Sequence, residues 1–133
     1  MFKRSLFVIG VLAVAFMAFA HNANAQGGVF LGSRDVRDRS DRDTIVVGAA
    51  HGTFDRLQFR VGNHAVDFKR VVVHYENGNE EELDLRDRIP AGGQSRWINL
   101  RGNDRRIKRI EFWYDAATWK RGVRSRVSAY GAK

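Results

Sequence analysis

From Arg56 to Val61 the side chains alternate strictly, with Arg56, Gln58 and Arg60 on one side of an extended chain and Leu57, Phe59 and Val61 on the other. Successive side chains of a strand point to opposite faces, so this period of two marks a sheet with one face in a core and one in water. The pattern recurs along the chain. Leu83 and Leu85 oppose Glu82, Asp84 and Arg86; Ile110, Phe112 and Tyr114 oppose Arg109, Glu111 and Trp113; Val123, Val127 and Ala129 oppose Arg124, Arg126 and Tyr130. It predicts strands over residues 29–34, 44–47, 56–61, 66–76, 81–87, 96–100, 107–115 and 123–130. Gly62-Asn63, Asn77-Gly78-Asn79, Pro90-Ala91-Gly92-Gly93 and Arg101-Gly102-Asn103-Asp104 punctuate them. Asn77-Gly78 between two alternating runs marks a hairpin, for which a two-residue turn at positive φ is expected. Only residues 116–121 could hold a helical turn. Seven or eight short strands without helical spacers predict an all-β fold: a two-sheet antiparallel β-sandwich, jelly-roll or galactose-binding-like, with a small barrel as the alternative.

One segment breaks the pattern. Residues 6–20 are apolar apart from Gly10, follow Lys3-Arg4, and lead to Ala23-Asn24-Ala25. A basic start, a short apolar run and a small-residue site are the parts of a secretory signal peptide. The run is shorter than the roughly 20 apolar residues a membrane-spanning helix needs. The expected organisation is a signal peptide over 1–25, cleaved after Ala25, and one domain over 26–133, periplasmic or secreted, with no transmembrane span in its mature form. Lys3-Arg4 is not a twin-arginine signal, so the general secretion route is expected. The chain has no cysteine, which excludes disulfides, a lipidated cysteine, thiolate metal sites and a cysteine nucleophile together.

Removing the leader takes away Lys3 and Arg4 and no acid, lowering the formal net charge from +8 to +6. The mature bases are mostly arginine; the lysines are Lys69, Lys108, Lys120 and Lys133. Guanidinium forks suit carboxylates, phosphates and sulfates and stack on aromatic faces. Such a surface suits anionic polysaccharide, lipid headgroups or an envelope protein, although arginine also serves simply to solvate a sheet. Trp97 and Trp113 fall on the polar side of their strands, where an indole either covers arginine stems or offers a stacking platform. The candidate binding residues are therefore Trp97, Arg101, Arg109, Trp113, Arg124 and Arg126.

Other constellations are weaker. Residues 34–43 hold Asp35, Asp38, Asp41 and Asp43, an oxygen-rich set that could attract calcium, but Arg34, Arg37, Arg39 and Arg42 interleave with them and self-neutralised pairing on an exposed connection is the better account. His51, His64 and His74 form no zinc spacing; His51 has Asp55 four residues on, and His74 has Glu76 two on along the same strand side. Ser95 does not sit in a G-x-S-x-G elbow. Gly92-Gly93 lacks the lysine and helix of a phosphate loop. No nucleic-acid-binding motif is present, and none is expected to be bound. The expectation is a non-catalytic protein without metal or cofactor. It would be a binding module for an anionic or carbohydrate envelope component; a structural or protein-interaction role in the envelope comes second and a hydrolase third.

The stretch Ala91-Gly92-Gly93-Gln94-Ser95-Arg96-Trp97-Ile98-Asn99-Leu100, followed by Ile107-Lys108-Arg109-Ile110-Glu111-Phe112, resembles the YaaI-like family of small exported bacterial proteins, a domain of unknown function. Phe30-Leu31-Gly32 and the strand after His51-Gly52 are similar to it too. The resemblance implies a periplasmic β-sandwich. It implies no activity and no site residues, and since this chain lacks the cysteines of some members, no disulfide.

Overall fold

The computed structural model describes residues 27–37, 42–115 and 122–133. The signal peptide expected over 1–25, the turn considered over 116–121 and Asp38 and Asp41 of the arginine–aspartate segment lie outside the described residues.

Among the described residues, nine antiparallel strands form two sheets. They are β1 (Val29–Arg37), β2 (Arg42–Val46), β3 (Arg56–Gly62), β4 (Val66–Tyr75), β5 (Glu80–Leu83), β6 (Arg88–Ile89), β7 (Ile98–Asn99), β8 (Ile107–Asp115) and β9 (Arg124–Ala132). The first sheet runs β1-β9-β3-β7 and the second β2-β8-β4-β5, with the short β6 beside the start of β4. The pairs β1–β9, β2–β8, β3–β7 and β4–β5 each join a strand from the front of the chain to one from the back. That is a long hairpin rolled over itself, the connectivity of a jelly roll. The sheets stay open, so the expected sandwich is present and the barrel is not.

The tip of the rolled hairpin is the Asn77-Gly78 turn, but its loop has three residues rather than two. Tyr75 N–H donates to Asn79 O at 2.8 Å and Gly78 N–H to Tyr75 O at 3.0 Å. Gly78 sits at φ 91° and Asn77 is not at positive φ; instead its Oδ1 accepts from Asn79 N–H at 2.9 Å. An ordinary turn closed by one left-handed glycine replaces the primed turn.

The alternating apolar sets meet between the sheets. Leu57, Phe59 and Val61 of β3 and Val127 and Ala129 of β9 face Val71, Val73, Ile110, Phe112 and Tyr114 of the second sheet, all buried. Phe59, Phe68, Phe112 and Tyr114 form a chain of ring contacts with centroids 5.8–5.9 Å apart. Each such buried side chain contributes about 1.5–3 kcal/mol.

Three strands differ most from the expected bounds. β1 extends to Arg37 because an edge strand tolerates charge on both faces. The strand expected over 81–87 breaks after Leu83, where Leu85 N–H turns back to Leu83 O. Both leucines are buried in the core all the same, and the chain resumes as β6. The strand expected over 96–100 keeps only Ile98 and Asn99, because residues 92–95 follow β3 irregularly.

Candidate functional site

The six residues singled out by the sequence do not form one surface. Trp97, Arg124 and Arg126 lie on the outer face of the first sheet, Arg109 and Trp113 on the outer face of the second, and Arg101 in the loop before β8. The reason is topological: β8 and β9 are consecutive in sequence but belong to opposite sheets, so their outward residues point away from each other.

On the first sheet the strand pairing sets out a ladder of outward residues. Arg37 stands opposite Arg124, Asp35 opposite Arg126, Ser33 opposite Ser128, and Phe30 opposite Tyr130, with a bulge between Phe30 and Gly32. On the other side of β9, Arg60 faces Ser128 and Gln58 faces Tyr130. The Arg60 guanidinium lies 3.7 Å over the Tyr130 ring and donates to Gln58 Oε1 at 3.1 Å and Gly27 O at 2.8 Å. Phe30 meets Tyr130 edge-on at 5.5 Å and is 50% exposed. Arg56 lies 5.2 Å over Trp97, and Gly28 approaches so closely that a Cβ there would come 2.7 Å from the indole. Trp97 is thus half-buried under neighbours and is not an open platform. Arg126 bonds Asp35 at 3.2 Å and Ser33 Oγ at 3.0 Å.

The second outer face is balanced by acids. Trp113 lies under Arg70, whose guanidinium is 4.8 Å from the ring and bonds Glu82 at 2.7 Å. Arg109 stands between Val46 and His74. His74 Nε2 lies 2.5 Å from Glu111 and its Nδ1 3.3 Å from Glu80, so its partners come from neighbouring strands and not from Glu76. Val72 is buried by the side chains around it, outside the central core. Asp67, Glu80, Glu82, Glu111 and Asp115 stand here against Arg42, Arg70, Arg88 and Arg109, with Lys69 and Lys108 exposed at the two irregular points of the β4–β8 pairing. On the first sheet the outward strand positions hold Arg37, Arg56, Arg60, Arg124 and Arg126 against one carboxylate, Asp35.

A polar cleft of about 500 Å³ opens at the β1 edge, lined by Ser33, Arg34, Asp35, Arg37, Asp43 and Arg126. Arg34 bonds Asp43 at 3.3 Å, and Asp43 also accepts from the Tyr114 hydroxyl at 2.8 Å, linking the two sheets. The arginine–aspartate segment is therefore built into β1 and β2 where it is described. The described residues contain no cluster of acids and histidines able to hold a metal.

Arg101 serves its own loop. Its N–H donates to Glu81 Oε1 at 3.0 Å, and its carbonyl accepts from Arg105, whose guanidinium lies 3.6 Å over Tyr75. The Tyr75 hydroxyl donates to Glu81 at 2.6 Å. Burial, then this bond and the Glu81 charge, raise the Tyr75 hydroxyl well above the usual phenol range, against the pull of Arg105 and Arg101.

The periodicity did not single out Gln58 and Ser125, both buried polar residues, and read Ser95 only as a loop residue. Ser95 Oγ accepts from Phe59 N–H at 2.9 Å and donates to Arg96 O at 2.7 Å, while Gln58 Nε2 donates to Ser95 O at 3.1 Å. Ser125 Oγ lies 2.7 Å from Gly62 O and 2.5 Å from His64 O. These hydroxyls complete backbone pairing where the chain is irregular. A small hydroxyl at a core-facing strand position was the available signal for Ser125.

The family model for a domain of unknown function, DUF2541, matches residues 8–131. The chain belongs to this family. The match bears out the resemblance as far as membership in a family of unknown function. No curated protein matches the chain. Among solved structures, it is similar to AlgX of Pseudomonas aeruginosa, with a TM-score of 0.50 and 19% identity. The likeness covers 80% of this chain but only 26% of AlgX, and at that identity it speaks to the fold alone. No helix among the described residues is long and apolar enough to cross a membrane.

Proposed function

We propose that this DUF2541 protein is an exported, non-catalytic binding module whose ligand is an anionic or carbohydrate component of the cell envelope, held on the outer face of the first sheet. The observation that supports this is the segregation of charge: five outward arginines face one carboxylate there, whereas acids offset the arginines of the second sheet. A face with unbalanced guanidinium groups attracts carboxylate, sulfate or phosphate groups and loses that attraction as salt rises. Arg124, Arg126 and Trp97 belong to this surface; Arg109 and Trp113 do not. The test is retention of the purified protein on immobilised polyanions and a glycan array across a salt series. Retention should fall with salt, and Arg124→Gln with Arg126→Gln should weaken it while Arg109→Gln leaves it intact. Retention indifferent to ionic strength, or equally sensitive to changes on both faces, would overturn the assignment.

One observation favours a second reading, pairing with an envelope protein along a sheet edge: Val46 is 75% exposed on the edge strand β2. Capture of one envelope protein, abolished by Val46→Lys and indifferent to Arg124→Gln, would replace the first reading with this one.

A further inference from the structure

The outer ladder of the first sheet changes character along its length, and its basic end carries an arrangement that folding alone does not favour. Arg37 and Arg124 stand directly opposite each other on β1 and β9, both exposed. Like charges in that relation repel and destabilise a sheet. Neither is in an ion pair among the described residues, and the nearest acid on the ladder, Asp35, is engaged by Arg126 at 3.2 Å. Directly opposed positions lie about 5 Å apart at Cβ, close enough for one oxyanion to accept hydrogen bonds from both guanidinium forks.

We propose that Arg37 and Arg124 form the acid-reading point of an extended polysaccharide site running along the β1–β9 ladder. This rests on the binding role assigned above to the same face. Beyond the arginine pair come Asp35 with Arg126, then the hydroxyls of Ser33 and Ser128, then the half-exposed ring of Phe30 beside Tyr130. A nine-residue strand spans about 30 Å, the length of several sugar units. Hydroxyls and a carboxylate in the middle pair with sugar hydroxyls, Phe30 receives the apolar face of a sugar ring, and the arginines fix an acidic substituent. The cleft at the β1 edge, which Arg37, Ser33 and Arg126 line, gives that substituent room. A lipid surface is served less well. Tyr130 and Trp97 are half-buried with arginines stacked over them, and among the described residues no large apolar side chain is exposed beside Arg37 and Arg124.

The test is titration of the full-length protein with polygalacturonate, dextran sulfate, neutral dextran and vesicles containing phosphatidylglycerol. One or both acidic polymers should bind more tightly than dextran, and which of them binds identifies the oxyanion as carboxylate or sulfate. Arg37→Gln with Arg124→Gln should weaken that binding about tenfold or more, a change of one decade in Kd. The thermal midpoint should stay the same or rise, because a repulsion has been removed; Arg37→Gln alone should show the same two trends. Unchanged affinity in the double variant overturns this inference and leaves the binding face standing. Binding to vesicles alone overturns the polysaccharide class while keeping an anionic envelope ligand. No binding to any probe overturns the face and this site together.

Discussion

Gly131 on β9 leaves the space that the ring of Phe54 fills. A Cβ at Gly131 would lie 2.6 Å from Phe54 Cδ1 and 2.8 Å from Cγ, and Phe54, only 3% exposed, is part of the core. Gly131→Ala therefore forces the ring or the strand aside. Overpacking of this kind costs about 1–3 kcal/mol, to be read as a lowered urea midpoint. Phe54→Leu in the same chain should recover part of the loss, since a smaller side chain vacates the space; strictly additive losses would show that the two sites do not meet.

Ser95 makes a prediction of a different kind. Its hydroxyl is the acceptor for the buried Phe59 N–H, in place of the ladder carbonyl a regular neighbouring strand would supply. Ser95→Ala leaves that N–H without a partner in a dry environment, at a cost of about 1–3 kcal/mol. Ser95→Thr keeps a hydroxyl and should lose less. Equal losses in both variants, measured by chemical denaturation, would place the effect in packing rather than in the hydrogen bond.

Ser95 and Ser125, both buried, also mark where the sequence stopped being legible. Alternation located the long strands and their inward residues, because burial on one face of a sheet imposes a period of two. It could not say which strands share a sheet. Trp97 and Trp113 have the same outward parity, yet β7 and β8 lie in different sheets, so one candidate surface became two. Nor could it see the opposition of Arg37 and Arg124, which depends on the register of strands at the two ends of the domain. Irregular segments were illegible for a related reason: residues 92–95 are held to β3 by backbone groups and one hydroxyl, which leave no hydrophobic period.

Asp104 links acid sensitivity to the C-terminus. It accepts from Lys133 Nζ at 2.7 Å, and that hydrogen bond, followed by the charge of the ammonium, lowers its carboxyl below the usual range. A carboxyl lowered in the folded state adds stability above its unfolded value, near 4, and loses it as pH falls through the folded value. Asp104→Asn keeps a residue tolerant of the positive φ of 51° found here and removes the charge. The parent should be more stable than Asp104→Asn at pH 6, and the gap should close on acidification below pH 4. Midpoints recorded across that range check it; a gap that widens in acid would contradict the sign.

Arg60 separates charge from geometry on the proposed binding face. Its guanidinium stacks on Tyr130 while bonding Gln58 and the Gly27 carbonyl, which ties the chain ahead of β1 to the sheet. Lysine keeps the positive charge but has no planar fork to make these contacts together. Arg60→Lys should cost about 1–2 kcal/mol, the scale of one charged hydrogen bond with a cation–π contact. Hydrogen exchange should quicken at the start of β1 while β4 and β8 keep their protection. If polyanion binding falls as well, the loss cannot come from net charge, which is unchanged. It must come from the guanidinium fork, either as a direct contact to the ligand or through the position of Phe30 and Tyr130, which Arg60 holds together through the ring it covers and the segment it anchors.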